Sequence, residues 1–151
     1  FDGEVSEPVT VTITGANDAA TISGTASGAV AENGTLTIGG TLTVTDPDAG
    51  QAKFANPPNL AGTYGAFAFN TTTGVWSYAL NNSAANVQAL TAGQVVTDTI
   101  TVKSFDGTAS QALTATITGA NDLATISGTA TGSVAEDGRD DPDGQAQERS
   151  G

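Results

Sequence analysis

An internal repeat constrains this chain more than any other feature of its sequence. Residues 1–34 align with residues 105–138 at a constant offset of 104, and 24 of the 34 aligned positions are identical. A unit of that length is a whole domain, because solenoid repeats span only about 20 to 45 residues. The chain therefore carries parts of more than one copy of the same domain.

The repeat divides the chain into four predicted segments. One complete module spans residues 19–122, residues 1–18 are the last strand and linker of another repeat, and residues 123–138 begin a further one. After Gly138 the distance from the glycine to Asp-Pro-Asp falls from 12 to 3 residues, so a strand-forming stretch is missing. Residues 139–151 are therefore predicted to be a disordered or truncated tail.

Composition excludes several classes of partner and of chemistry. Sixteen acidic residues face four basic ones, for a net charge of −12, whereas nucleic acid and anionic membranes require a basic surface. The chain has no His, Cys or Met, which excludes typical zinc and copper sites, thiol chemistry and histidine-based triads. No apolar run reaches the roughly 18 residues of a membrane span. We expect no nucleic-acid partner, no membrane insertion and no enzyme activity.

Period-2 patterns rich in β-branched residues predict an all-β fold, an antiparallel Greek-key β-sandwich of the cadherin or immunoglobulin type. Residues 83–94 are the one helical stretch, a short crossover in which Ser83 is the expected N-cap and Gly93 the expected end. The predicted strands lie near residues 20–24, 35–45, 51–55, 64–70, 75–80, 95–104 and 110–118.

A hairpin around Thr71–Gly74 carries most of the large aromatic side chains. Phe67, Phe69 and Trp76, together with Ile100 and Val102, are the expected core, because their apolar area dominates what this small-residue module can bury. For Trp76 the alternative is a platform on which a sugar ring stacks. Burial of the indole favours the first reading and exposure the second.

The acidic residues of the complete module are concentrated in turns, with Asp98 inside a strand as the exception. Asp46 and Asp48 are separated by one proline, so both carboxylates can face the same way, as in calcium loops that supply oxygen ligands. If this turn and the one holding Asp106 lie where the chain enters the sandwich, both face Asn17 and Asp18. The alternative is that these residues are turn formers without any metal, because Asp, Asn and Gly suit turns by themselves.

At these residues the sequence resembles the VCBS repeats of large bacterial adhesins and toxins with RTX-type secretion, a group of cadherin-like domains. The resemblance extends to about Gly138 and is carried by the opening AENG, the loop TDPDAGQ, the centre GTYGAFAFNTTTGVWSYALNNSAANVQAL, and SFDG followed by TITGAND. The long central motif is specific, whereas each short acidic motif is weak by itself.

The resemblance implies calcium as the cofactor and assigns its ligands. It places Asn17 and Asp18 in the interdomain linker, Asp46 and Asp48 as paired aspartates of the following domain, and Asp106 as a later aspartate. Glu32 would serve the opposite junction together with Asn121 and Asp122. No acidic pair occurs in the middle of the domain, where cadherins have one.

The function expected from this resemblance is a structural spacer of a secreted or cell-surface bacterial adhesin, made rigid by calcium between modules. Its partners are neighbouring repeats of the same chain, with host or biofilm surface ligands engaged through other domains. The alternative is a β-sandwich module that binds carbohydrate or another cell-surface ligand. A Lys-to-Asn crosslink involving Lys53 or Lys103 is a further hypothesis.

Overall fold

The computed structural model describes residues 2–135, and the predicted tail and the second Asp-Pro-Asp lie outside them. Residues 2–20 and 119–135 form neither helix nor strand. The elements are β1 (Thr21–Gly24), β2 (Ser27–Ala31), β3 (Thr37–Thr45), β4 (Gly65–Phe69), β5 (Val75–Leu80), α1 (Ala85–Gln88), β6 (Val95–Lys103) and β7 (Ser110–Thr118).

The strands form two packed sheets, which confirms the predicted cadherin-like β-sandwich. One sheet has the order β1-β3-β5-β4 and the other has the order β2-β7-β6. All pairs are antiparallel except β2 and β7, which run parallel from Ser27 opposite Thr114 to Ala31 opposite Thr118. The chain therefore enters at one end of the sandwich and leaves β7 at the other, called here the upstream and downstream ends.

The sequence patterns did not predict β2, which begins where the chain changes sheets. Thr25 still donates its amide to Thr41 in the first sheet, whereas the carbonyl of Ala26 already accepts from Thr114 in the second. Gly24 allows the change of direction, because its φ is +120° and a Cβ there would clash with the Thr41 carbonyl oxygen. A run of Ser, Gly and Ala with one buried valine gives little periodic signal for the strand that follows.

The strand predicted at residues 51–55 is wrong. Only Phe54 makes a bridge, to Ser104, and the backbone hydrogen bonds between the two segments beside it are those of Ala55 with Lys103 and of Phe105 with Lys53. Asn56 is followed by two prolines, which lack amide donors and so stop the ladder after two residues.

The predicted hairpin is confirmed, and it supplies the centre of the core. Strands β4 and β5 pair with Phe67 opposite Tyr78 and Phe69 opposite Trp76. Phe67, Trp76, Ile100 and Val102 are buried, and Phe69 is partly buried against them. Each strand that lines the interior alternates buried and more exposed positions, as in β5, where Trp76, Tyr78 and Leu80 point inward.

The crossover helix lies within the predicted stretch and has the shortest of the expected lengths, which were one to three turns. It makes a single turn over Ala85–Gln88, with Ala84 at the N-cap and no side-chain cap. Ser83 was the expected cap, but its hydroxyl contacts the Asn81 side chain at 3.0 Å instead. The buried side chains of Val87 and Leu90 hold the segment against the core, which is where a short amphipathic helix gains its stability.

Candidate functional site

Five of the predicted calcium ligands lie together at the upstream end, and Asn17, Asp18, Asp46, Asp48 and Asp106 are called here the upstream cluster. Strand β3 ends just before Asp46, and the turn from β6 to β7 contains Asp106. The antiparallel register of β1 and β3 places Thr21 opposite Thr45, which brings the linker before β1 next to both turns.

Direct hydrogen bonds join the linker to both acidic turns. The amide of Asp18 donates to Oδ2 of Asp48 at 2.8 Å, and the side-chain amide of Asn17 donates to Oδ2 of Asp106 at 2.9 Å. Within the Asp-Pro-Asp turn, the Asp48 amide donates to Oδ1 of Asp46 at 2.8 Å. The linker therefore docks on the module through carboxylate oxygens, as the sequence indicated.

Asp106 is the most heavily hydrogen-bonded carboxylate of the upstream cluster. Ser104 donates its hydroxyl to Oδ1 at 2.6 Å, and Thr108 donates its hydroxyl to Oδ2 at 2.7 Å. The Ser104 hydroxyl, then the Asn17 amide and then the Thr108 hydroxyl hold the pKa of Asp106 well below its ordinary value of 3.8, because each donor stabilises the anion. Asp106 is thus a permanent negative charge at neutral pH.

One oxygen of Asp46 lacks any donor. Its Oδ2 atom is buried and has no hydrogen-bond partner. Among residues 2–135 it is the only buried side-chain nitrogen or oxygen atom without one. Buried polar atoms in folded proteins are nearly always satisfied, so an orphaned one calls for a water, an ion or another explanation. A cation at this oxygen supplies such an explanation.

The fit of the upstream cluster to calcium is good in donor chemistry and incomplete in arrangement. Carboxylate and amide oxygens are the ligands that calcium prefers, and it requires six to eight of them at about 2.3–2.6 Å. Across residues 2–135, however, no three acidic side chains are close enough to hold a metal ion together. Oδ2 of Asp48 already accepts from the Asp18 amide, which uses one of the roughly four lone pairs of that carboxylate.

The other three predicted ligands lie at the downstream end. Glu32 is buried at 4% exposure, and its two oxygens accept from the Gln88 side chain at 3.0 Å and from the Ala120 amide at 2.8 Å. Asp122 accepts from the Asn33 side chain at 3.2 Å. We call Glu32, Asn33, Asn121 and Asp122 the downstream cluster.

The two Gly-Ala-Asn-Asp linkers have the same local geometry at opposite ends of the module. The side-chain amide of Asn17 donates to the carbonyl of Asp18 at 3.1 Å, and that of Asn121 donates to the carbonyl of Asp122 at 3.3 Å. The first linker docks on the Asp-Pro-Asp turn and on Asp106, and the second docks on Glu32 and Asn33. One linker sequence thus matches two different surfaces.

Sequence reasoning missed the role of Asp98. This residue is 3% exposed and accepts three successive backbone amides, from Thr63 at 2.8 Å, Tyr64 at 2.9 Å and Gly65 at 3.1 Å. The Tyr78 hydroxyl is its fourth donor, at 2.8 Å. An aspartate at an inward position of the apolar pattern of β6 was the available signal. Asp98 fastens a loop and is not part of either cluster.

The proposed sugar platform is not available at Trp76, because that side chain is 2% exposed. Its indole N–H donates to the carbonyl of Thr25 at 2.6 Å, at the point where the chain changes sheets. Phe105 is an exposed aromatic residue beside the upstream cluster, but the Lys53 ammonium lies 3.9 Å from its ring centroid. That cation–π contact occupies one face of the ring.

The chain matches a known protein family. A family model described as a bacterial cadherin-like domain matches residues 17–119, a range that begins at Asn17 and ends just after β7. No curated protein matches the chain. Among the described residues, none of the helical structure is long and apolar enough to cross a membrane.

Proposed function

The chain belongs to the bacterial cadherin-like domain family, and on that premise we propose that it is a repeated spacer module of a secreted or cell-surface bacterial adhesin, rigidified by calcium between modules. Bacterial cadherin-like domains occur in extracellular or surface proteins, and cadherin-like sandwiches are generally structural rather than enzymatic. The 104-residue repeat supports a tandem arrangement. Because function resides in the sites that a fold carries, we look for it in the surfaces at the two ends of the module.

The observation that carries the proposal is the docking of one linker sequence on two different surfaces. In a tandem array, a single Asn-Asp linker faces Glu32 and Asn33 of one module and the acidic turns of the next. Each junction then collects the upstream cluster of one module and Glu32 of its neighbour. Neither surface alone offers this whole donor set, so a single module should bind calcium through its upstream cluster more weakly than a complete junction does.

Electrostatics favours a cation at such a junction. Like charges about 4 Å apart repel by roughly 1 to 4 kcal/mol at effective dielectric constants between those of water and a protein surface. The module has no His and few basic residues to offset its acids. Calcium would neutralise the clustered carboxylates and connect the linker to both turns, whereas the chain's own residues position the oxygens.

Calcium titration of the chain tests this proposal. We expect millimolar calcium to raise the melting temperature and magnesium to raise it less, because magnesium demands a tighter octahedral geometry. A two-module chain built by repeating residues 17–120 should become longer and less variable in end-to-end distance when calcium is added, as measured by small-angle X-ray scattering. Equal melting temperatures and equal scattering with calcium and with chelator would refute calcium rigidification.

A further inference from the structure

Residues 5–14 present an unpaired apolar stripe next to the linker. Val9, Val11 and Ile13 are between 76% and 89% exposed, although they alternate with Thr10, Thr12 and Thr14 as in a strand with one buried face. Exposed apolar stripes of this kind often mark surfaces that bind a partner. The internal repeat indicates which partner fits this one.

At the repeat offset of 104, residues 5–14 align with residues 109–118, which include all of β7. Val9, Val11 and Ile13 correspond to Leu113, Ala115 and Ile117, each of which is fully buried at 0% exposure. In the complete module β7 is the central strand of its sheet, between β2 and β6. The same sequence pattern is thus buried in one copy and exposed in the other.

The sequence differences between residues 5–14 and β7 are compatible with the same position between β2 and β6. Relative to β7, residues 5–14 replace Leu113 by a smaller valine and Ala115 by a larger one, so the total volume on the inward face changes little. Volume-conserving exchanges are the core substitutions that proteins tolerate best. The three threonines on the outward face are unchanged.

Pro8 is also compatible with the position of β7. It corresponds to Ala112, and amides of alternate residues in a strand point to the same side. The Thr114 amide donates to Ala26, so the Ala112 amide faces the β2 side as well. Because β2 begins opposite Thr114, the strand does not extend to that position. A proline there removes no ladder hydrogen bond.

We propose that residues 5–14 are a β7-type strand that inserts between β2 and β6 of another module of this same fold whose own β7 position is open. The strand cannot serve its own module, where β7 already fills that position. The six linker residues 15–20 also reach only about 20 Å, less than the roughly 30 Å length of a nine-residue strand. This deepens the proposed function, since it rests on tandem modules and names their contact, and it does not depend on calcium.

The first test is a chimera of the full chain in which residues 109–118 are replaced by a second copy of residues 5–14. We expect cooperative unfolding and the fluorescence of a buried Trp76. The melting temperature should stay within about 10 °C of the original, because core exchanges that conserve volume cost little stability. The matched control is Val11→Asp. It should abolish folding when placed in the transplanted copy and leave the melting temperature unchanged in the original segment.

The second test measures binding between molecules. The full chain with Leu113→Asp and Ile117→Asp has a disabled β7, and a large excess of a synthetic peptide of residues 2–14 should restore its cooperative unfolding. The same peptide with Val11→Asp should not. A chimera that fails to fold, or a Val11→Asp peptide that restores folding equally well, overturns the proposal. Either failure leaves the response of the original chain to calcium intact, so the two proposals can be judged separately.

Discussion

The Tyr78 hydroxyl donates a hydrogen bond of 2.8 Å to Oδ2 of Asp98, and both side chains are buried. The bond joins β5 in one sheet to β6 in the other, and the same carboxylate fastens the loop that leads into β4. Burial, the hydrogen bond and the charge of Asp98 raise the pKa of Tyr78 far above its ordinary 10.0. Asp98 thus connects three parts of the fold.

We expect Asp98→Asn to destabilise the module by about 2–4 kcal/mol in urea unfolding. The asparagine side chain has only one accepting oxygen, and the charge-assisted hydrogen bonds are lost. Tyr78→Phe removes one of the four donors and should cost about 1–3 kcal/mol. The double variant should lose less than the sum, since the two residues share one bond. Additive losses would show that the contact contributes little.

Asp46→Asn and Asp48→Asn should each remove most of the stabilisation that calcium gives. An ion bound only by the folded state adds about 2.7 kcal/mol at a hundredfold excess over its Kd, and each change deletes a negative ligand. Without calcium both variants should be as stable as the original or slightly more so, because repulsion falls and asparagine retains an oxygen that can accept the turn hydrogen bonds.

The measurement is the melting temperature with calcium and with chelator, and Glu4→Gln is the matched control. Glu4 is an exposed acid in the strand-free N-terminal segment, so its replacement changes net charge equally and should keep the full calcium response. Equal losses of stability with and without calcium in the Asp46 and Asp48 variants would identify these residues as turn formers alone.

Trp76→Phe should destabilise the module by about 2–3 kcal/mol, because it leaves a cavity and an unpaired Thr25 carbonyl where the chain changes sheets. Guanidinium unfolding followed by circular dichroism measures the loss. Val75→Ala is the neighbouring control on the opposite face of β5, where Val75 is 50% exposed, and it should cost no more than about 0.5 kcal/mol.

Acid should weaken the module partly through Asp106. Its pKa is lowered on folding, so its contribution to stability is fully present above the pKa of the unfolded chain, near 3.9. That contribution is lost as the pH falls from about 4 towards the lower folded value, where the carboxylate takes up a proton. The melting temperature of Asp106→Asn should therefore fall less steeply between pH 5 and pH 2 than that of the original chain. Identical slopes would contradict this.

Local patterns predicted most strands because each carries its own alternation of inward and outward residues. Strand β2 was missed because its position depends on β7, which lies more than 80 residues away, and its own side chains are small. The predicted strand at 51–55 was wrong because the two prolines after Asn56 outweigh the favourable residues before them.

The candidate site residues could be proposed from the sequence because acids in turns recur at a repeat boundary, and the structure places these residues at the two ends of the module. Their pairing could not be predicted, since the contact of Asn17 with Asp106 spans 89 residues. The role of Asp98 was missed for the same reason. Its donors come from a loop more than 30 residues away, and only the folded chain brings them together.

The parallel pairing of β2 and β7 determines how the module responds to being stretched. Pulling on the two linkers draws β2 towards the upstream end and β7 towards the downstream end, along their shared axis. The five register pairs from Ser27 with Thr114 to Ala31 with Thr118 are then sheared together instead of opening one at a time. Forced unfolding is governed by the unfolding barrier, and simultaneous rupture raises it, so a filament of such modules should hold its length under hydrodynamic drag.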